Sequence, residues 1–589
     1  MSLLSLYMYH FMFISSDAFY CEPQHVHLAY GDTIRDVVIM WATKLDCSTT
    51  LIYGKTPWNF DTRTSGSKVN FKEKNEFGLP YLHRVYLKNL DPKTTYFYRP
   101  VSDSISSGPF YFKTPEYGLE WSPLFMVYGD LGVHTNTIPY ITNEVLTGKY
   151  TAVLHAGDFA YNLHDDGGKV GSIFLIVVAP FRPSTIVCGH STGHNFYIEI
   201  NSDTFAQYRY RFSMPKTNWP IPLDKMWFSV DIGPVHLISY SSEVFFTQNE
   251  KYVTKQRDWL IQDLTNANKN RNKQPWIIAF GHRPMYCSNI VNDDCSKVDS
   301  KVRDGFEDMF YYHGVDIVLQ AHEHSYERLL PMYKKVVLSE DYNNPLAPVQ
   351  IVTGAAGSKH GIDPMMQPPY GKNSNILYVI TIFMNKIYEN TYCQDMTSYK
   401  SILKVLFLFL EVWSAFRMAN GSLNSFGTLK VHNATHIKWE QRSVITSDLI
   451  DSVWIVQENH GPFRRDNLPK NISDEIEDSI KQSGNGIKPV FLDDKTEKDE
   501  IFQNDKKQRM YIGIGFGSLF VVAIVIVLVV RSCRRKQRST RRWETMDFNY
   551  GKKFYSAAKN SEKDLDVDND FEIDMSDGTL PTTKLLADD

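Results

Sequence analysis

The sequence lacks a strong excess of charge of either sign. Its 63 lysine and arginine residues nearly balance 67 aspartate and glutamate residues, which leaves a formal net charge of −4 over 589 residues. Proteins that bind nucleic acid usually carry a basic surface, so this composition gives no indication of a nucleic-acid partner. A chain of this length exceeds what one hydrophobic core supports, and we expect two or more domains.

Long uncharged apolar runs are also scarce. Residues 376–384 and 402–410 are apolar but too short to cross a bilayer. Residues 510–530 are long enough, because a helix rises about 1.5 Å per residue and the hydrocarbon core is about 30 Å thick. We therefore predict one transmembrane helix at 510–530.

The residues that flank this run predict its orientation. Seven lysine and arginine residues follow it between 531 and 542, whereas three precede it between 506 and 509. This asymmetry predicts a cytosolic tail at 531–589, and hence a single-pass type I membrane protein whose larger part is extracellular or lumenal. The polar stretch 471–509 is predicted to be a flexible stalk. Glycosylation sequons that agree with this side occur at Asn420, Asn433 and Asn471.

The N-terminus lacks the basic segment that normally opens a signal peptide. Residues 1–20 are apolar and aromatic, with a patch of small residues near their end. We interpret them as a signal-like segment. Seven cysteines in the chain are compatible with an oxidising compartment. Cys287 and Cys295 flank a short polar loop and are the best disulfide candidates, while the other pairings stay open.

Residues 21–118 show short alternating runs of apolar and polar residues separated by turn residues. This spacing predicts an antiparallel, all-β sandwich of about a hundred residues. The segment 87–98 resembles the loop-and-strand signature of fibronectin type III domains. The module holds no cluster of histidine, aspartate or cysteine, so we expect a structural or docking role.

From 119 to 470 apolar runs alternate with helix-like stretches, which predicts an α/β domain. Four apolar runs end in residues that could bind a metal, and in open α/β sheets ligands gather beyond the carboxyl ends of strands. These residues are Asp130, Asp158 with Tyr161, His282, and the pair His322 and His324. A mixed nitrogen and oxygen set suits iron, zinc or manganese, and a carboxylate can bridge two metals.

The order Gly-Asp-x-Gly, Gly-Asp-x-x-Tyr, Gly-His-Arg-Pro and Ala-His-Glu-His resembles the purple acid phosphatases, within the calcineurin-like metallophosphoesterases. The resemblance covers about 23–457 and implies an αββα sandwich. It implies a dinuclear centre with Fe(III) held by Asp130, Tyr161 and His324 and with Asp158 as the bridge. It also implies a second metal, Fe(II), Zn(II) or Mn(II), held by His282 and His322.

The activity implied by this resemblance is hydrolysis of small phosphomonoesters at acid pH by a metal-bound hydroxide. A phosphodiesterase or nucleotide pyrophosphatase on the same centre is an alternative. A surface binding protein with impaired catalysis is another. Arg283, Glu323 and Tyr326 are close enough in sequence to line the pocket, but each could equally be structural.

The sequence departs from this family at its third motif, Gly-Asn-His-Glu, which is missing. The residues that stand in the region are His190, His194 and Asn195, with Asn195 as a candidate metal ligand and the two histidines as candidate substrate-binding residues. The segments 171–198 and 373–412 both interrupt the family pattern. We interpret them as products of a misread exon or retained intron, with ordinary core elements as the alternative.

Overall fold

The computed structural model describes residues 20–71, 79–178, 185–188, 205–247, 249–289, 291, 293–297, 299–364, 414–417 and 423–482. All of them belong to one of the chain's two compact units, which comprises 1–386 and 396–490. The second unit, 387–395 with 491–589, lies outside the described residues.

The first part of the chain is an all-β domain. Its strands are β1 (Gln24–Tyr30), β2 (Val37–Thr43), β3 (Thr50–Gly54), β4 (Thr62–Ser65), β5 (Ser67–Asn70), β6 (Tyr81–Leu87), β7 (Thr95–Ser102), β8 (Ile105–Ser106) and β9 (Phe110–Lys113). One sheet has the order β1-β2-β6-β5, and the other has the order β4-β3-β7-β8 with β9 also paired to β7. Alternate residues of both sheets, among them Trp41, Leu51 and Tyr98, share one buried core.

This domain confirms the prediction of an N-terminal β domain, while its fibronectin-like character stays a prediction. A disulfide joins Cys21 to Cys47, a pairing that the sequence left open.

The second part of the chain contains seventeen strands among its described residues. They are β10 (Leu124–Tyr128), β11 (Leu131–Gly132), β12 (Ala152–His155), β13 (Phe159–Ala160), β14 (Thr185–Cys188), β15 (Phe228–Ile232), β16 (Val235–Ser239), β17 (Trp276–Phe280), β18 (Ile317–Gln320), β19 (Tyr326–Leu329), β20 (Met332–Tyr333), β21 (Val336–Val337), β22 (Val349–Thr353), β23 (Ser414–Arg417), β24 (Ser425–Val431), β25 (His436–Ser443) and β26 (Leu449–Val456).

Six α-helices accompany these strands in the described part of the chain. They are α1 (Ile138–Leu146), α2 (Lys169–Val178), α3 (Ala206–Arg211), α4 (Glu250–Lys269), α5 (Lys301–Tyr312) and α6 (Lys470–Gln482). Short 3₁₀ turns occur at Asp165–Gly168, Leu223–Lys225, Ser242–Phe246, Asp294–Ser296 and Arg465–Asn467.

Two mixed sheets form the centre of this domain. The first has the order β14-β12-β10-β24-β25-β26, and the second has the order β15-β16-β17-β18-β22-β19-β23. Side chains of β17 alternate between two cores. Ile278 and Phe280 join the core that both sheets share, whereas Ile277 and Ala279 pack with α4 and α5. Strand β17 therefore has helices packed on one face and the other sheet on its opposite face, which confirms the predicted metallophosphoesterase sandwich.

The prediction of a single-pass membrane protein is contradicted by the described helices. Within the part of the chain that the structure describes, no helix is both long enough and apolar enough to cross a membrane. The longest of them, α4, has 20 residues but carries charges along its length, including Glu250, Arg257 and Lys269. The apolar run 510–530 and the tail 531–589 lie outside the described residues.

Other predicted segments are described only in part. The start of the predicted stalk forms helix α6, in which Ile472 and Ile476 alternate with charged residues and pack beside Tyr311. Within 171–198, α2 continues to Val178 and β14 pairs in parallel with β12. The rest of 171–198, the whole of 373–412 and nearly all of 1–20 lie outside the described residues.

Candidate metal centre

Four strands direct the residues that follow them into one pocket. β10 and β12 are parallel neighbours in one sheet, and β17 and β18 are parallel neighbours in the other. Asp130, Asp158, His282 and His322 each follow the end of one of these strands by two or three residues. Because both pairs of strands end at the same side of the sandwich, four residues far apart in sequence come together.

The backbone turns sharply where these ligand candidates leave their strands. Asp130, Asp158 and His322 have positive φ angles of 63°, 50° and 70°. Such values cost non-glycine residues about 1 kcal/mol or more and cluster at functional sites. The position before Asp158 has no room for a side chain, because a Cβ atom on Gly157 would lie 2.4 Å from Nδ1 of His282.

Asp130, Tyr161 and His324 form the first half of the site. Tyr161 Oη donates a hydrogen bond of 2.7 Å to Oδ1 of Asp130 and lies 2.9 Å from Nε2 of His324. The same Nε2 lies 3.5 Å from Oδ1 of Asp130. All three side chains are buried. Their polar atoms therefore converge on one point at the edge of the sheets.

Asp158, His282 and His322 form the second half. Nε2 of His282 lies 3.3 Å from Oδ1 of Asp158 and 3.0 Å from Nδ1 of His322. One ligand atom from each residue lies within 4.8 Å of the others. Nδ1 of His282 is 3.0 Å from the carbonyl oxygen of Ala156, which only accepts hydrogen bonds. His282 therefore carries its proton on Nδ1 and turns the lone pair of Nε2 toward Asp158.

The two halves adjoin. The backbone N–H of His322 donates a hydrogen bond of 2.8 Å to Oδ2 of Asp130. The carboxylate of Asp158 interacts electrostatically with Tyr161 and His324 in the first half. It also lies beside His282 in the second half. Carboxylate oxygens and imidazole lone pairs that face one another in a dry pocket repel unless a cation lies between them. This donor set fits a pair of borderline metal ions.

Burial and mutual charge shift the titration of these residues. Burial by itself raises the pKa of Asp130, but the hydrogen bond from His324 and the nearby imidazoles outweigh it and lower that pKa to about 2. Burial lowers the pKa of His324, while its hydrogen bond with Asp130 and the neighbouring carboxylates raise it to about 9. Burial, followed by the charge of Arg283, lowers the pKa of His322. Burial and then Asp130 and Asp158 raise the pKa of Tyr161, so this phenol ionises only with help from a cation.

Sequence reasoning missed two aspartates at the site. Asp293 contacts Nε2 of His322, and Asp363 accepts a hydrogen bond of 2.6 Å from the backbone N–H of His324. Asp293 belongs to a loop closed by a disulfide between Cys287 and Cys295, which confirms the pairing favoured from the sequence. In the sequence, the feature that could have pointed to Asp293 was its position just before Cys295. No sequence feature pointed to Asp363.

The additional pocket candidates have structural partners. Arg283 donates from Nε to Oε1 of Glu243 over 2.8 Å. Tyr326 is fully buried and donates to Oδ2 of Asp451 over 2.6 Å. Glu323 accepts a hydrogen bond from Asn289.

Several predicted residues are not brought to the site by the described structure. His190, His194, Asn195 and Asn420 lie outside the described residues, and the sequon residues Asn433 and Asn471 are exposed.

Family models match three parts of the chain. Residues 23–114 match the purple acid phosphatase N-terminal domain, and 123–326 match the calcineurin-like phosphoesterases. Residues 407–452 match the C-terminal part of iron/zinc purple acid phosphatase-like proteins.

Named relatives and solved structures agree with these models. Human acid phosphatase type 7 is 35% identical over 74% of this chain and 91% of its own length. Purple acid phosphatase 21 of Arabidopsis thaliana is 27% identical over 58% of this chain and 73% of its own length. The structure of the purple acid phosphatase PPD1 from yellow lupin seeds matches the fold with a TM-score of 0.53, at 19% identity, over 74% of each chain. The chain belongs to the purple acid phosphatase family.

Proposed function

We propose that this protein is an acid phosphatase that hydrolyses small phosphomonoesters at a dinuclear metal centre. The observation that carries the proposal is the convergence of two buried clusters of carboxylate, phenol and imidazole groups at the strand ends. The relatives named acid phosphatase type 7, at 35% and 37% identity, support the same reaction.

We assign Fe(III) to Asp130, Tyr161 and His324, and a second metal, iron, zinc or manganese, to His282 and His322, with Asp158 as the bridge. The observed grouping of these residues supports this assignment. When bound, such a pair polarises a phosphoryl oxygen and lowers the pKa of a bound water.

The chain's own residues hold this arrangement and limit access to it. Asp130 and His282 are 0% exposed, whereas His322 and His324 are 8% and 7% exposed. The two histidines of the Ala-His-Glu-His motif are the most exposed of the six proposed ligands, so we place the substrate entrance beside them. Burial of the remaining groups excludes bulk water and strengthens the electrostatic interactions inside the pocket.

Lys359 and His360 lie at this open side. Nζ of Lys359 donates a hydrogen bond of 3.1 Å to the carbonyl oxygen of Tyr161. The ring of His360 lies parallel to that of His324, with 6.0 Å between centroids, and His360 is exposed. An ammonium group beside the entrance favours a phosphomonoester, which carries up to two negative charges, over a phosphodiester, which carries one.

Turnover of matched substrates tests the proposal. The full chain is assayed between pH 4 and 8 with 4-nitrophenyl phosphate and with bis(4-nitrophenyl) phosphate. We expect faster hydrolysis of the monoester, best at acid pH, and loss of turnover in His282→Ala and His322→Ala. Preference for the diester would indicate a phosphodiesterase, and binding of two metals without turnover would indicate a binding protein.

A further inference from the structure

We propose that Asp293 is a positioning residue that selects the tautomer of His322 and thereby allows this histidine to hold the second metal. The inference rests on the proposed function, since it assumes a metal at His282 and His322. It concerns a residue outside the family's motifs, brought to the site by a loop.

His322 has two competing partners at Nε2. The Oδ2 atom of Asp293 contacts this nitrogen, and Nη1 of Arg283 lies 2.9 Å from the same nitrogen. A carboxylate only accepts hydrogen bonds and a guanidinium only donates them. The two neighbours therefore favour opposite states of the ring.

The partner that Nε2 of His322 binds determines whether Nδ1 carries a lone pair or a proton. If Nε2 donates to Asp293, Nδ1 has a lone pair directed at Nε2 of His282, 3.0 Å away. If Nε2 instead accepts from Arg283, the proton of the neutral ring is on Nδ1 and points to His282. A metal binds a ring nitrogen only through its lone pair, so the second state blocks the site.

The loop that carries Asp293 is anchored at both ends. The disulfide between Cys287 and Cys295 closes it. The next residue, Asp294, accepts hydrogen bonds of 3.1 Å and 3.2 Å from the backbone N–H groups of Lys301 and Val302, in the first turn of α5. At the other end, the backbone N–H of Ser288 donates 2.9 Å to Oε2 of Glu327. These anchors hold the carboxylate of Asp293 against His322 at little entropic cost.

Arg283 has anchors besides Asp293, to which its Nη1 donates a hydrogen bond of 3.2 Å. Its Nε donates to Glu243, and its guanidinium carbon lies 4.5 Å from the ring centroid of Phe246. Loss of the Asp293 carboxylate would therefore leave Arg283 in place as the remaining partner of Nε2. The structure thus predicts a switch of tautomer, which differs from a general loosening of the loop.

Zinc binding to the metal-free full chain tests the inference, with Asp293→Ala, Asp293→Asn and a control. The control is Asp299→Ala, because Asp299 is exposed between this loop and α5 and its removal makes the same change of charge. We expect Asp293→Ala to weaken the binding of the second zinc ion by about 10–100-fold, as loss of a carboxylate behind a ligating histidine does. Asp293→Asn keeps a carbonyl acceptor and should recover part of that loss, and Asp299→Ala should match the wild type.

The tautomer itself is read from nitrogen chemical shifts of His322 in the metal-free protein, labelled at histidine and assigned with His322→Gln. We expect the Nε2–H form in the wild type and the Nδ1–H form in Asp293→Ala. Two zinc ions bound equally well by wild type and Asp293→Ala, or an unchanged tautomer, would overturn the inference. Failure of the wild type to bind a second ion would instead overturn the proposed metal centre.

Discussion

Replacement of Asp158 by asparagine should have opposite effects on the metal-free and the metal-loaded protein. The Asp158 carboxylate is 2% exposed and lies 3.3 Å from Nε2 of His282. Burial of a charged carboxylate costs several kcal/mol, whereas a neutral amide of the same shape costs much less. The metal-free Asp158→Asn protein should thus be at least as stable as the metal-free wild type.

Bound metal should reverse this order of stability, so that the wild type becomes more stable than Asp158→Asn. A ligand at about 100 times its Kd stabilises the folded state by about 2.7 kcal/mol. Unfolding entropy is about 2.1 cal/mol/K per residue, so for a domain of more than about 300 residues each kcal/mol raises Tm by about 1–2 °C. Zinc should therefore raise the Tm of the wild type by about 3–5 °C, and by much less in Asp158→Asn, where the carboxylate charge is absent.

Thermal unfolding with and without zinc measures both effects. Asp448→Asn is the matched control, because Asp448 is exposed and distant in sequence from the ligand motifs, and it should behave as the wild type. A metal-free Asp158→Asn protein that melts well below the metal-free wild type would refute the reasoning. Asp158 would then be a structural residue whose charge the fold needs.

Three further predictions concern other parts of the described structure. Burial lowers the pKa of His236, but hydrogen bonds to Asp231 and Asp263 raise it to about 9. The folded-state pKa lies above the ordinary histidine value of about 6.5, so this pair of contacts contributes up to about 3 kcal/mol below pH 6.5, and the contribution is lost as pH rises through about 9. The Tm of the wild type should fall more steeply between pH 7 and pH 9.5 than that of His236→Gln, and parallel curves would contradict this. Lys359→Ala should raise KM for a phosphomonoester about 10-fold at low salt with little change in kcat, equivalent to about 1.4 kcal/mol, and an unchanged KM would remove Lys359 from the substrate path. Paired Cys287→Ser and Cys295→Ser replacements should cost about 2–3 kcal/mol of stability from the opened loop and also weaken the second metal, whereas a loss of stability alone would separate this loop from the site.

The sequence predicted those parts of the site that local patterns encode. Gly157 and Asp158 follow a short apolar strand, and so do His322 and His324, so each motif predicts its own turn at a strand end. The structure brings the six predicted residues together because parallel strands of two sheets end on one side. Their roles as metal ligands stay a proposal.

Other parts depend on contacts that no local pattern encodes. Asp293 and Asp363 reach His322 and His324 from loops about thirty to forty residues away. The pairing of Cys21 with Cys47 likewise depends on how strands are arranged in the β domain. Such long-range partners follow from tertiary structure, which one sequence does not display.

Two predictions about chain organisation differ from the structure for physical reasons. Composition favoured a flexible stalk from 471, but Ile472 and Ile476 lie one turn apart and give α6 an apolar side that packs in the fold. The single-pass membrane assignment was wrong, since none of the described helices is both long enough and apolar enough to cross a membrane.

The visible spectrum of the purified full chain, together with its iron and zinc content, tests the central claim most directly. The proposed centre predicts two metal ions per chain and a broad absorption band from the phenolate of Tyr161 bound to Fe(III). It also predicts that Tyr161→Phe, which removes only the hydroxyl that lies 2.7 Å from Asp130, abolishes the band. A colourless wild-type protein without bound metal would contradict the account.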